Sequence, residues 1–368
     1  MGSDTATPVG ARSGLSAAVR RLVALSENAR PSDWWEFKIP PLLATAYATA
    51  LLLQLSFAQL GPLLLLLLFA LLPGAAYVSV LNDITDLKDD LRCGKANRMV
   101  GRSVAFKFFA VAVCVGMGLG AGWLLRNYPL TLGLYAATWV AYTLYSVPPF
   151  RWKVRGIWGV AMDASGAHLL PTLWTASLMA EATGHAVPVI FLTSLGVWAS
   201  ALGLRGILWH QLYDRENDRL SHVTTFAARR NPESIRRFVA WVAFPLEMAA
   251  LGLILVQMET PWAWVVLAGY LAMEWMTSRF LDIDLIVVQP TARFRIIFAE
   301  YYQLWYPLTF LVAMTEQSLL ALLLIALQLI LFPHCVYVFL CHLRFTVREK
   351  LAPRLRSKIN LLIRKGVQ

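Results

Sequence analysis

Charged residues are scarce in this chain of 368 residues. They make up 15% of the sequence, while 58% of the residues are hydrophobic; an average soluble domain carries about 25% charged residues. Apolar runs of about twenty residues recur instead, long enough for helices that cross a bilayer with their own backbone hydrogen bonds satisfied. The composition therefore excludes an ordinary soluble domain and predicts an all-α polytopic membrane protein.

Cysteine is also sparse, and no apolar signal-peptide core precedes about residue 40. The four cysteines are scattered and form no CxxC pair, which argues against a disulfide framework and against a zinc site. Residues 14–27 are predicted to form a short amphipathic surface helix, with a loosely ordered tail as the alternative.

Acidic residues are fewer than basic ones, and the formal net charge is +11. In a soluble protein this charge would suggest nucleic acid, but here the basic residues lie in loops between apolar segments. They predict membrane topology and contact with anionic membrane lipid, and no nucleic-acid partner. The loops of the opposite set carry only Arg126. This asymmetry predicts a multi-pass integral membrane protein with a cytoplasmic N-terminus and, for a bacterial chain, a place in the plasma membrane.

Ten apolar segments predict about ten helices. They lie near residues 40–58, 61–82, 104–126, 129–148, 157–181, 188–213, 237–257, 261–279, 298–314 and 317–343. We expect a cytoplasmic extension over 1–38, a transmembrane domain over 39–343 and a basic cytoplasmic tail over 344–368. The count near 261–343 is open between two and three helices.

An acidic stripe follows the second apolar segment, in "VLNDITDLKDDLR". On a helix, Asn82, Asp86 and Asp90 fall one turn apart on one face, and Asp83 lies nearly on that face. Carboxylates so spaced repel each other, and more so when partly desolvated. Such a stripe is typical of a cation site, and hard oxygen ligands of this kind suit Mg²⁺.

A second stripe, "WHQLYDRENDR", follows the sixth apolar segment. Asp214 and Asp218 are again one turn apart, and His210 comes one turn earlier. A solvated acidic helix end would explain either stripe alone. Two stripes at the same predicted membrane face favour a shared metal site that faces the cytoplasm.

Basic residues accompany these stripes. Lys95, Arg98 and Arg102 follow the first, and Arg151, Lys153 and Arg155 lie in "YSVPPFRWKVRG". Lysine and arginine beside metal-binding carboxylates are suited to holding a diphosphate, because both donate hydrogen bonds to phosphate oxygens. For any one of them, a role in setting topology is the alternative.

The patterns N-D-x-x-D-x-x-x-D and D-x-x-x-D resemble the two signature motifs of the UbiA superfamily of intramembrane prenyltransferases. "YSVPPFRWKVRG" and "RPSDWWEFKIPPLL" are similar to further segments of that family, and the likeness spans roughly residues 30–280. The resemblance implies a ring of about nine to ten helices around a lateral, lipid-accessible cavity, where Mg²⁺ and a prenyl diphosphate bind under a cytoplasmic cap. "KANRM" departs from the family pattern because it lacks two prolines.

The resemblance also implies roles for individual residues. Metal and diphosphate binding falls to Asn82, Asp83, Asp86, Asp90, Asp214 and Asp218. Substrate contacts fall to Lys95, Arg98, Lys153, Arg155 and Ser146. The catalytic set would be Asp86, Asp90, Asp214, Asp218 and Tyr145, with Tyr145 near the reacting carbon. His210 joins this set for a different reason, because it lies one turn from Asp214; a His-Gln pair before the second motif is uncommon in the family.

The expected function is Mg²⁺-dependent transfer of an isoprenoid chain from a prenyl diphosphate to a small, unidentified acceptor. A terpene cyclase on the same fold is the main alternative, and a phosphosugar transferase or an ion-coordinating transporter are others. Ionisable residues inside apolar segments are costly in a membrane. Arg205 is expected to pair with Glu247 or Glu274, while Asp163, His168 and His210 are candidates for acceptor binding or proton removal.

Overall fold

The computed structural model describes residues 31–220, 223–281, 283–345 and 347–348. The surface helix predicted over 14–27, and the tail predicted over 344–368 apart from its first residues, lie outside this part of the chain. The helices are α1 (Pro31–Leu52), α2 (Phe57–Arg92), α3 (Val104–Leu124), α4 (Pro129–Ser146), α5 (Ile157–Ala164), α6 (Leu170–Thr183), α7 (Val189–Tyr213), α8 (Arg215–Leu220), α9 (Phe226–Arg229), α10 (Pro232–Phe238), α11 (Phe244–Val256), α12 (Pro261–Leu281), α13 (Tyr306–Met314), α14 (Ala321–Leu331) and α15 (Pro333–Phe345). The fold is therefore mostly helical, as the composition predicts.

Four helical stretches within the described residues are long and apolar enough to cross a membrane. They are α2, α3, α7 and the stretch Pro232–Val256, which joins α10 to α11. Helix α3 exposes much of its apolar surface, for example Phe108 and Trp123, which are 75% and 67% exposed. An exposed apolar helix of this length is suited to contact with lipid rather than with water.

Helix α1 begins well before the predicted residue 40, and tertiary contacts explain the difference. The Trp35 indole donates a hydrogen bond of 2.7 Å to the Leu331 carbonyl, and its ring stacks on Phe332 at 5.2 Å. The predicted last helix is broken at this same place, since Phe332 has a non-helical backbone and Pro333 begins α15. The start of α1 is thus held by the α14–α15 junction.

Three π-turns interrupt the helices, and each precedes a proline. They span Ser165–Leu169 between α5 and α6, Val239–Ala243 between α10 and α11, and Tyr301–Trp305 before α13. The second residue of each following helix is Pro171, Pro245 or Pro307. A proline ring clashes with the carbonyl four residues earlier and lacks an N–H. A wider turn with i→i+5 hydrogen bonds removes this conflict, so each of these three prolines follows a π-turn.

Two buried ion pairs connect the second half of the bundle. Arg205 donates to both Glu247 oxygens at 2.7 and 2.6 Å, and the Tyr302 hydroxyl donates to Glu247 Oε1 at 2.8 Å. Glu274 pairs instead with Arg295 at 2.9 Å. Of the two partners expected for Arg205, the structure thus selects Glu247.

A short two-stranded sheet occupies the segment between α12 and α13. Strands β1 (Asp284–Ile286) and β2 (Phe294–Ile296) pair in parallel. Three-residue strands carry too little alternation to be recognised by period.

Candidate active site

The first acidic stripe lies on the last turns of α2. This helix is 36 residues long and continues from the apolar segment into the stripe without a break. Asn82, Asp86 and Asp90 therefore lie on successive turns of one face, as predicted, and Asp83 is buried at 3% exposure. The Cys93 N–H bonds to the Asp89 and Asp90 carbonyls and ends the helix.

The chain that leaves α2 joins the two acidic stripes. Gly94 adopts a positive φ of 66°, a conformation that glycine tolerates without steric cost. The turn places Lys95 Nζ at 3.0 Å from Asp214 Oδ2. Nearby, the Cys93 thiol donates to the Asn217 carbonyl at 3.2 Å. Both predicted motifs therefore meet at one end of the bundle.

Asn97 supports the first stripe and was missed by the sequence analysis. Its amide donates to Asp90 Oδ2 at 2.8 Å and to the Asp83 carbonyl at 2.9 Å, while its carbonyl oxygen accepts the Met99 N–H. The side chain is only 8% exposed. The only sequence feature that could have indicated Asn97 is its position in "KANRM", the segment that lacks the two prolines of the family pattern.

The loop after α4 places two cations on Asp86. Lys153 Nζ bonds to Asp86 Oδ1, and the Arg151 guanidinium bonds to Asp86 at 3.1 Å and to Asp89 at 2.7 Å. At the end of α4, Ser146 Oγ donates to Asn82 Oδ1 at 2.5 Å. Arg151 is one of the basic residues that the sequence pattern indicated, whereas Asp89 was not predicted.

A glycine lets this loop approach α5 closely. A Cβ on Gly159 would lie 2.7 Å from the Trp152 carbonyl oxygen and 2.8 Å from Lys153 Cα. Any larger residue would push the turn that carries Lys153 away from α5. The position of Lys153 over α2 thus depends on this close contact.

Burial shifts the protonation of the extramembrane groups. It lowers the pKa of Lys153, although the nearby Asp86 opposes the shift. It raises the pKa of Asp218, with Asp214 adding to the rise and a hydrogen bond from Thr225 opposing it. Burial alone would lower the pKa of Arg151, but bonds to Asp89 and Asp86 outweigh it and raise that pKa. Burial thus favours the neutral forms of Lys153 and Asp218, while the neighbouring carboxylates favour the charged form of Arg151.

Four of the predicted residues make no direct contact with the carboxylates of the two stripes among the described residues. Arg98 makes no ion pair with any described residue, and Arg155 is exposed and donates to the Pro149 carbonyl at 2.7 Å. Tyr145 is half-buried, within electrostatic range of Asp86 and Asp218. His210 is exposed, stacked beside Trp209 and within electrostatic range of Asp218.

The donor chemistry of the site fits magnesium. Among the described residues, no three carboxylate, imidazole or thiol groups already converge on one point. However, Asn82, Asp86, Asp90 and Asp214 supply hard oxygen donors at neighbouring helix ends, and Mg²⁺ prefers carboxylates combined with phosphate oxygens. Asp86 and Asp214 each contact a cationic side chain, so a cation can reach both carboxylates.

A large apolar cavity lies away from these residues. It has a volume of about 850 Å³ and is lined by α4, α6, α7 and α11, with Leu134, Leu173, Val197 and Leu246 among its walls. None of the predicted site residues lines it. The acidic site is therefore a separate, polar part of the molecule.

These features define a class of helical membrane proteins in which two acidic helix ends share one polar site. The chain belongs to the UbiA prenyltransferase family, whose family model matches residues 39–285. This confirms the resemblance that the two motifs indicate.

Solved structures with the same fold support the assignment. A UbiA homolog from Archaeoglobus fulgidus bound to DMAPP and Mg²⁺ has 15% identity and a TM-score of 0.54, over 80% of this chain and 99% of the homolog. The homolog bound to GPP and Mg²⁺ has 15% identity and a TM-score of 0.52, over 84% of this chain and 99% of the homolog. The curated proteins contain no significant match to this sequence.

Proposed function

We propose that this chain is a Mg²⁺-dependent intramembrane prenyltransferase that moves an isoprenoid chain from a prenyl diphosphate to a small acceptor. The observation that carries the proposal is the meeting of both acidic stripes, where Lys95 links the end of α2 to Asp214. The Archaeoglobus fulgidus homolog, which shares the fold, binds DMAPP or GPP together with Mg²⁺. Family membership and this geometry favour the same kind of substrate.

The acidic residues would hold the metal and the cations would hold the substrate. In this proposal the carboxylates and amide of the two stripes would hold Mg²⁺, and the ion would supply neutralisation of the diphosphate charge. Lys95, Lys153 and Arg151 already contact those carboxylates, so a diphosphate bound there meets their N–H donors. Charge-assisted hydrogen bonds of this kind strengthen as negative charge grows on the leaving group.

The reacting end of the isoprenoid would lie beside α4. Tyr145 is within electrostatic range of carboxylates from both stripes. Its ring would stabilise an allylic cation through its π face and help to exclude water. In the same proposal, a ring of about nine to ten helices surrounds a lateral cavity, with the site facing the cytoplasm.

A polar cluster next to the site favours transfer over cyclisation. Lys38 and His168 form a hydrogen bond of 2.7 Å between α1 and the π-turn after α5. A cyclase needs a polar group only for the final loss of a proton from the cyclised cation, whereas an acceptor with polar atoms needs hydrogen-bond partners of this kind to bind. Terpene cyclisation thus remains the second candidate and an outcome of the test.

The test uses purified protein in lipid nanodiscs with Mg²⁺ and geranyl, farnesyl or geranylgeranyl diphosphate. We expect Mg²⁺-dependent binding that is lost on chelation and in Asp214→Asn. Glu216→Gln is the matched control, because this exposed carboxylate lies two residues after Asp214, on α8, and pairs only with Arg215 and Arg219 among the described residues. Binding of none of the three would contradict the proposal, and release of diphosphate with a cyclic hydrocarbon would establish the cyclase.

A further inference from the structure

Asp89 lies beside the first acidic stripe but outside its pattern. It comes three residues after Asp86 on α2, so the two side chains are neighbours on the helix surface. Asp89 Oδ2 accepts a bond of 2.7 Å from Arg151, and its Oδ1 lies 3.6 Å from an Arg92 nitrogen. Both oxygens of Asp89 therefore face arginine side chains, and this carboxylate is suited to hold a guanidinium group.

The Arg151 guanidinium is shared unequally between two carboxylates. Its Nη2 donates to Asp89 Oδ2 at 2.7 Å and to Asp86 Oδ1 at 3.1 Å, so the shorter bond is the one to Asp89. Asp86 Oδ1 also accepts a bond from Lys153. Two cations thus compete for one oxygen of Asp86, whereas Arg151 alone among the described residues bonds to Asp89 Oδ2.

Arg151 has donors that neither carboxylate uses. A guanidinium has five N–H groups, and both of the bonds to the carboxylates come from Nη2. The Nε atom is buried and has no hydrogen-bond partner among the described residues. Buried donors in folded proteins are nearly always bonded, so Nε is available to an acceptor that binds at the site.

The backbone of Arg151 adopts an uncommon conformation. Its φ of 37° lies in the left-handed region, which few residues other than glycine adopt. Such a conformation persists only where the surrounding contacts maintain it. The Arg151 N–H donates to the Val147 carbonyl at 2.9 Å, and the Arg151 carbonyl accepts from the Val154 N–H at 3.2 Å. The loop therefore presents the guanidinium to α2 from a fixed point beyond the end of α4.

A metal ion would change the balance between the two carboxylates. A divalent cation on Asp86 would repel the Arg151 guanidinium, because like charges at contact distance repel each other. Arg151 would then lose its longer bond, to Asp86, and keep the shorter one, to Asp89. An arginine side chain without a partner has many rotamers, so Asp89 determines whether the guanidinium stays at the site.

We propose that Asp89 is a positioning residue, which holds Arg151 in place so that its unused N–H donors bind the diphosphate when Mg²⁺ occupies Asp86. This inference rests on the proposed prenyl-transfer function. Asp89 touches neither the metal nor the substrate, and it acts only through Arg151. Its carboxylate also adds negative charge near an anionic substrate. The two effects of Asp89 thus have opposite signs, since its position favours diphosphate binding and its charge opposes it.

Inorganic diphosphate separates these two effects without turnover. Its binding to the protein in lipid nanodiscs is measured at saturating Mg²⁺ by isothermal titration calorimetry. Asp89→Asn should weaken binding by about tenfold, which corresponds to the loss of one charge-assisted hydrogen bond. If the carboxylate acted through its charge alone, the same change would strengthen binding, because it removes a repulsion.

Glu216→Gln is the matched control for the loss of a negative charge. Glu216 also pairs with arginines near the site, but it is exposed. Its replacement should leave the dissociation constant of diphosphate within about twofold of that of the unaltered protein, because exposed ion pairs contribute little.

Two further variants test whether Asp89 acts through Arg151. Arg151→Met should weaken diphosphate binding at least as much as Asp89→Asn does. Adding Asp89→Asn to Arg151→Met should cause no further loss, because residues that act through one contact are not additive. Asp89→Glu keeps the charge and can still reach the guanidinium, so it should bind diphosphate more tightly than Asp89→Asn.

The inference is overturned if Asp89→Asn binds diphosphate as tightly as the unaltered protein or more tightly. A further loss on adding Asp89→Asn to Arg151→Met, or an equal loss in Glu216→Gln, also overturns it. The proposed function fails by a different result, the absence of Mg²⁺-dependent binding of inorganic and geranyl diphosphate in the unaltered protein, and the inference then fails with it. Thermal unfolding in the same nanodiscs checks that each variant is folded.

Discussion

Removing one partner of the buried ion pair between Arg205 and Glu247 should destabilise the protein more than removing both partners together. Both side chains are almost inaccessible, at 3% and 0% exposure, and two N–H···O bonds of 2.7 and 2.6 Å join them. Arg205→Met removes the cation and leaves the Glu247 carboxylate buried without its partner, which costs about 3–5 kcal/mol. With an unfolding entropy of roughly 2.1 cal/mol/K per residue, the melting temperature should fall by about 4–6 °C.

The assay is thermal unfolding in detergent, followed by intrinsic tryptophan fluorescence. The double variant Arg205→Met, Glu247→Met should recover most of the loss, because replacing both charges by apolar groups is often neutral. Tyr302→Phe removes one bond to Glu247 and should have a smaller effect, about 1.5–3 kcal/mol. Arg126→Met is the control, as Arg126 is exposed. A double variant as unstable as Arg205→Met alone would refute the reasoning. The double variant contains no unpaired buried charge, so an unpaired charge could not then explain the loss of stability.

Three further outcomes follow from the site and its supports. Asp86→Asn should abolish Mg²⁺-dependent binding of geranyl diphosphate while the protein stays folded by gel filtration; retained binding would remove Asp86 from the metal set. Asn97→Leu should raise the Mg²⁺ concentration needed for half-maximal binding by about tenfold or more, as groups that orient metal ligands do, and an unchanged value would mean that Asn97 does not orient Asp90. Gly203→Val should destabilise the protein by about 1–3 kcal/mol through overpacking, since a Cβ on Gly203 would lie 2.9 Å from Ala164 Cα, and an unchanged melting temperature would show that α5 and α7 separate without cost.

The acidic stripes were predictable because they depend on local spacing. Asn82, Asp86 and Asp90 recur at the helical period, so their common face on α2 follows from the sequence alone. The contact between Lys95 and Asp214 is different, because it joins residues 119 positions apart. The predicted topology, which puts both stripes at one membrane face, and the motif resemblance indicated that the two stripes meet; the helical period did not.

Asn97 was beyond sequence reasoning for a physical reason. It acts through a turn that depends on tertiary packing, and an asparagine in a loop has many alternative roles. Arg155 and Arg98 matched the basic pattern as well as Lys153 did. Of these three residues, only Lys153 contacts a carboxylate of the stripes. The nature of a basic side chain does not determine the direction in which a loop presents it.

The proline-linked π-turns have a consequence for how this chain can change in length. A π-turn holds one residue more than the α-helical turn it replaces. Deleting one residue from Ser165–Leu169 would therefore restore regular winding and leave the inward face of α6 unchanged. Deleting one residue from a regular turn of α6 would instead rotate everything beyond it by about 100°, and side chains that now pack inside the bundle would face the lipid. Single-residue deletions should therefore be tolerated better within the three π-turns than within the regular helices that follow them.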